Sequence, residues 1–218
     1  MTDGTGVEAI VALLIITDLF LLGTGRLKSC ITIAALQGAV VSLLPVLLHG
    51  AEGTVRAWSL TTGSLLLKGV VFPWLLIRIL REAGVRREVE PFVDHTLSIV
   101  VGVVALVFSI WVDSRLALPY PVAGGSSLVV PAGLATLLIG LFMIVSRRTA
   151  VTQVLGYIVV ENGIYTLGIA LVGGVPMLVE LGVLMDVFVA VFIMSIAAYQ
   201  ISREFDHIDV DQLDKLKG

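Results

Sequence analysis

Apolar residues run along this chain in blocks of about twenty, broken only by short polar or Pro/Gly-rich clusters. A bilayer core needs about 20 largely apolar residues per helix. Seven stretches meet that length, at 7–25, 29–48, 57–80, 95–114, 127–146, 151–172 and 176–201. The pattern predicts an all-α, polytopic membrane protein with seven transmembrane helices. The first stretch reads as a retained helix rather than a cleavable signal. Its start is acidic (Asp3, Glu8), and the basic residues Arg26 and Lys28 come after the apolar run.

Most connections are short. Residues 81–94 are charged and hold Pro91, which makes them an exposed loop, and residues 115–126 carry Pro119, Pro121, Gly124 and Gly125, which suit an irregular link. The expected organisation is a four-helix N-terminal half (1–114), the Pro/Gly linker (115–126), a three-helix half (127–202) and an acidic tail (203–218). In the tail, Ile208, Leu213 and Leu216 are spaced for a short amphipathic segment on a partner or the membrane surface, and a flexible tail fits equally.

Charge sets the direction. Of the fourteen Lys and Arg residues, eleven fall in loops on one side and only Arg56 and Arg115 on the other, with Lys68 inside a span. The positive-inside rule then places the N-terminus outside and the C-terminus in the cytoplasm. Miscounting one span would scramble this split.

Composition supports the membrane reading: 57% of residues are hydrophobic and 14% charged, against roughly 25% charged in soluble domains. A net charge of −3 gives no case for nucleic-acid binding. The single cysteine, Cys30, excludes an internal disulfide framework, a self-contained iron–sulfur cluster and a Cys-rich zinc site. No cofactor is expected in this chain, and any redox centre would sit in another. Gly63 to Lys68 has part of a phosphate-loop spacing but lacks the second Gly, the following Ser/Thr and the preceding strand. His49, His95 and His207 lie at span ends or in the tail, so no bis-His haem arrangement is available. Trp58, Trp74, Trp111, Tyr120 and Tyr199 are placed as interfacial anchors.

Five ionisable residues fall inside the spans: Asp18, Lys68, Glu161, Glu180 and Asp186. A charge at the bilayer centre costs at least about 2.5–3.5 kcal/mol on insertion scales, so each needs a partner, a water-filled cavity or a function. Glu161 sits beside Asn162, the chain's single asparagine, and Tyr157, Glu161 and Tyr165 share one helical stripe. Two readings stand for this carboxyl: a proton relay, or a helix–helix hydrogen bond that holds the bundle. Asp186 lies midway along the seventh span, between the small residues Gly182 and Ala190. Glu180 is about 9 Å nearer the outside and turned about 120° away, so the two form no tight dyad. Lys68 is mid-span, five residues before Pro73, which is expected to kink the third span. Asp18, at matching depth in the first span, is the expected intrachain partner of Lys68.

The segments GYIVVENGIYTLGIAL and VELGVLMDVFVAVFIMSIA, the tail HIDVDQLDKLKG, and KGVVFP in the third span resemble the hydrogenase-4 component E family over essentially the whole chain. The last three helices also resemble the K or 4L small subunit of respiratory complex I and the C subunit of Mrp-type antiporters. In those proteins two glutamates on consecutive helices belong to the buried hydrophilic axis. Glu161 matches the first, and Asp186, one methylene shorter, best matches the second.

The resemblance implies a non-catalytic membrane subunit of a complex I-related hydrogenase of the formate hydrogenlyase type, in a prokaryotic inner (plasma) membrane. Antiporter-like and quinone-site-type membrane subunits would surround it. Iron–sulfur and nickel–iron hydrogenase subunits would dock on the cytoplasmic face. Glu161 and Asp186, with Lys68, would be stations of a proton or Na+ path, supported by Tyr157, Tyr165, Asn162, Glu180 and Asp18. A purely structural scaffold is the alternative. An Mrp-type antiporter subunit is a further one, disfavoured by the four extra helices and the tail.

Overall fold

In a computed structural model, residues 3–44, 55–82, 92–116 and 128–172 are described, and all their regular structure is helical. In chain order the helices are α1 (Asp3–Gly23), α2 (Leu27–Ser42), α3 (Val55–Leu66), α4 (Phe72–Glu82), α5 (His95–Arg115), α6 (Val129–Ser146) and α7 (Ala150–Val172). A π-helical turn, Leu67–Val71, joins α3 and α4 into one unbroken rod.

Among the described residues, five helical stretches are long and apolar enough to cross a membrane: Gly6–Gly23, Thr61–Arg81, His95–Arg115, Val129–Ser146 and Ala150–Leu171. The second expected span, 29–48, corresponds to α2 (Leu27–Ser42), and its last residues, 45–48, lie outside the described residues. The seventh, 176–201, and the tail lie outside the described residues.

Pro73 leaves its mark as the π turn. Proline has no N–H to donate, and the N–H of Phe72, just before it, bonds to the carbonyl of Leu67, five residues back. The extra residue rotates everything that follows relative to α3.

Among the described helices, α6 and α7 form the tightest pair. Gly133 and Gly140 on α6 face Gly163 and Gly156 on α7, each pair two helical turns apart on its own helix. A methyl group at Gly163 would stand 2.5 Å from the Leu137 amide nitrogen, and one at Gly140 would stand 2.5 Å from that of Val160. Only glycine allows backbones this close, the device by which helices associate where no hydrophobic effect drives them together.

Helix α1 lies against α2, α5 and α6, while α2 also packs on α7 and on the π turn. Helix α5 is built inside out. Ser98, Gly102 and Ser109 point inward, while Val100, Val104, Val107 and Trp111 form an exposed stripe. Both serines satisfy their hydroxyls within the helix, on Asp94 and Ala105 carbonyls. Small residues inward and branched apolar residues outward suit a helix whose solvent is lipid.

One end of the bundle gathers the basic residues. Arg147, fully buried between α6 and α7, donates to the Leu22 carbonyl at 3.0 Å and approaches His95 at the start of α5. It thereby caps carbonyls at the end of α1 that have no intrahelical donor. Beside it, the Phe92 amide bonds to the Ser146 carbonyl and Arg148 lies over the Phe92 ring. Trp74 and Trp111 are exposed, each with an arginine over its ring (Arg78 and Arg115), as interfacial aromatics are.

Candidate functional site

The apolar interior is divided by depth. Towards the basic end, Leu21 and Leu22 of α1, Ile31 of α2, Leu76 of α4, Ile139 of α6 and Leu155 of α7 belong to one cluster. Towards the other end lie two smaller ones, which include Leu14, Val41 and Ile169, and Val11, Val130 and Ala170. Between them, at mid-depth, is a polar layer to which α1, α2, the π turn, α6 and α7 all contribute.

Lys68 is the layer's cation. Its side chain is 1% exposed, and its Nζ lies 2.7 Å from Oε1 of Glu161, itself 4% exposed. The same ammonium donates to Oδ1 of Asn162 at 3.3 Å and stands 5.1 Å from the centroid of the Tyr165 ring. Two local features deliver it there. The π turn places Lys68 inward while Leu66 and Val70 face out. Gly38 on α2 leaves room for the stem, since a methyl group there would meet the Lys68 Cβ at 2.9 Å.

From Asn162 the layer continues across α2 to α1. Nδ2 of Asn162 donates to Oε1 of Gln37 at 3.1 Å. Nε2 of Gln37 donates to Oδ1 of Asp18 at 2.7 Å and to Oγ1 of Thr17 at 3.1 Å. Thr136 on α6 donates to the other Asp18 oxygen at 2.6 Å. Asp18 is 1% exposed, and both its oxygens are engaged. Buried polar groups are costly unless bonded in this way.

The expected Asp18–Lys68 ion pair is therefore corrected. Lys68 pairs with Glu161, and two amides stand between it and Asp18. Depth placed Asp18 and Lys68 in the same layer, but not on facing sides of their helices. Tyr157 and Tyr165 also part company: Tyr165 is buried beside Lys68, while Tyr157 is 41% exposed on the outer side of α7. Glu180 and Asp186 lie outside the described residues. Gln37, Thr17 and Thr136 complete the layer without having been singled out from sequence. Gln37 carried a usable signal, as the only amide in its apolar span.

Chemically, the described residues of the layer hold two carboxyls, one amine and a set of hydroxyl and amide groups, all able to exchange or orient protons. Among the described residues, no three His, Cys, Asp or Glu side chains converge as a metal site requires.

Residues 129–218 match the family model of NADH-ubiquinone/plastoquinone oxidoreductase chain 4L. A multi-pass helical membrane protein with a chain 4L-type C-terminal segment is the class this defines. Over its full length the chain is similar to hydrogenase-4 component E of Escherichia coli K12, at 27% identity over 221 residues, with 100% of both chains covered. It is 32% identical over 212 residues to the uncharacterized protein Rv0085 of Mycobacterium tuberculosis, covering 94% of this chain and 92% of that one. No solved structure matches the chain. The chain belongs to the hydrogenase-4 component E family.

Proposed function

We propose that this chain is a non-catalytic membrane subunit of an energy-converting hydrogenase related to respiratory complex I. Glu161, Lys68 and Asp186 serve as stations on its path for H+ or Na+. The observation that carries this reading is the Lys68–Glu161 pair, held at 2.7 Å in a polar layer between two apolar ones.

Physical cost is the reason to read the pair as functional. Removing two charges from water is expensive, and well-packed apolar residues often hold helices as well or better. A lysine within a proton's reach of a carboxyl, in contrast, can change its charge as that carboxyl loads and unloads. Asp186 extends the path through the seventh span. Tyr165, Asn162 and Asp18 flank it, with Tyr157 and Glu180 as further supporting residues.

The remaining parts follow from the same reading. Seven helices run from an external N-terminus to a cytoplasmic C-terminus in a prokaryotic inner membrane. Helices of the four-helix half (1–114) and of the three-helix half (127–202) meet at the polar layer, and the spacing of Ile208, Leu213 and Leu216 in the tail 203–218 suits a partner or the membrane surface, as it does a flexible tail. Antiporter-like and quinone-site-type subunits surround the chain in the membrane. The iron–sulfur and nickel–iron subunits that carry the electrons dock on the basic side, where Arg147 and Arg148 lie.

The test is purification through a tag on this chain, followed by reconstitution into liposomes. Hydrogenase subunits are expected to co-elute, and electron transfer is expected to drive ion movement. A preparation containing antiporter-like subunits alone, active in cation/proton exchange without any redox partner, would replace this reading with that of an antiporter subunit.

A further inference from the structure

The hydrogen bonds between Lys68 and Asp18 all run one way. An ammonium group has only donors, so the atom of Asn162 that faces it must be the amide oxygen. That turns Nδ2 towards Gln37, whose facing atom must then be its oxygen, and Nε2 of Gln37 is left to donate to Asp18. An ionised carboxylate only accepts, so the far end agrees with the near one. Turning either amide over would set oxygen against oxygen or N–H against N–H. The second N–H of Gln37 is used as well, on the Thr17 hydroxyl, which itself donates to the carbonyls of Leu13 and Leu14. The bridge has a single polarity, with the donor end at Lys68 and the acceptor end at Asp18.

We infer that Gln37 and Asn162 are positioning residues that tie Asp18 to the Lys68–Glu161 pair, so that a change of charge at Glu161 registers at Asp18 while no proton crosses between them. Hydrogen bonds in series polarise one another, and a low-dielectric interior strengthens the effect. When Glu161 carries charge, Lys68 is held towards it. When Glu161 is neutral and Lys68 keeps its own proton, the ammonium's field passes along the two amides to Asp18. The amide N–H groups themselves do not release protons near neutral pH, so the bridge conveys charge state and insulates Asp18 from the path. This rests on the reading that Glu161 changes its protonation during turnover.

A length swap tests it. Gln37→Asn shortens one arm of the bridge by a methylene and Asn162→Gln lengthens the other, so the double variant keeps the total reach. In proteoliposomes holding the whole complex, ion movement per electron is measured for the wild type, Glu161→Gln, both single variants and the swap. Each single variant is expected to lower the ratio about fivefold, the weight of one buried hydrogen bond, and the swap is expected to return it to within about twofold of wild type. The bridge is overturned if the singles leave the ratio unchanged, or if the swap is no better than the worse single. Should Glu161→Gln itself leave ion movement intact, the ion-path reading fails, and the bridge is judged on thermal dissociation of this subunit from the same complexes. There the singles lower the midpoint and the swap restores it if the two amides act as one unit; additive losses overturn it. If a single variant is lost from the complex, recovery of assembly by the swap is likewise the supporting result, and equal loss the contrary one.

Discussion

Lys68 on the π turn and Glu161 on α7 come from opposite halves of the chain and meet at 2.7 Å, both buried. Their contact pins the N-terminal helices to the chain 4L-type segment that follows. Breaking it by removing one partner leaves a buried charge without compensation. Lys68→Ala is expected to cost about 3–5 kcal/mol of stability, read as a lower thermal midpoint of the assembled complex. Lys68→Met combined with Glu161→Gln removes both charges and is expected to recover most of that loss.

Gly38 makes room for the lysine stem, with 2.9 Å between a methyl group placed there and the Lys68 Cβ. Gly38→Ala is expected to push Lys68 off its pairing with Glu161. Ion movement per electron should fall about fivefold or more, as for a lost buried hydrogen bond. Gly63, with no atom near a methyl placed on it, provides the control: Gly63→Ala should leave the ratio as it is.

The α6–α7 contact has no slack at Gly163, where a methyl group would lie 2.5 Å from a backbone nitrogen. Gly163→Ala must part the two helices and is expected to cost about 1–3 kcal/mol, the usual range for overpacking. Thermal denaturation of the purified complex measures it.

Arg147 closes the basic end of the bundle by bonding the Leu22 carbonyl, and Cys30, the only cysteine, is buried near that end. Arg147→Ala removes a charged hydrogen-bond donor from buried carbonyls, at about 1–3 kcal/mol. Local opening should follow, measured as faster maleimide labelling of Cys30 in the intact complex. Labelling at the wild-type rate would mean that Arg147 does not secure this end.

Periodicity and length made the helices legible. The stretches expected at 95–114, 127–146 and 151–172 lie within two residues of α5, α6 and α7. Burial of Lys68, Glu161 and Asp18 was legible for the same reason, since a mid-span charge has nowhere else to go but inward. Which charge faces which was not. That depends on the rotation of each helix about its axis, and at Lys68 the rotation is set by a π turn that adds a residue out of step with the α period. An apolar run with few polar positions gives almost no rotational signal, because lipid and protein interior are equally apolar. Gln37 and Thr136 escaped notice because uncharged polar residues are common in membrane spans, and only their convergence on Asp18 gives them a role. Glycine spacing at 133, 140, 156 and 163 was readable in principle, as two matched pairs two turns apart.

The most direct measurement is ion movement per electron in proteoliposomes holding the complex with Glu161→Gln, a substitution that keeps shape and removes the charge. Subunit content and uncoupled electron transfer are checked alongside. A drop of at least about tenfold with electron transfer retained, within the range of a positioned proton-transfer group, is the expected result. An unchanged ratio in an intact complex would contradict it, and the Lys68–Glu161 pair would then be a fastening between the two halves of the chain.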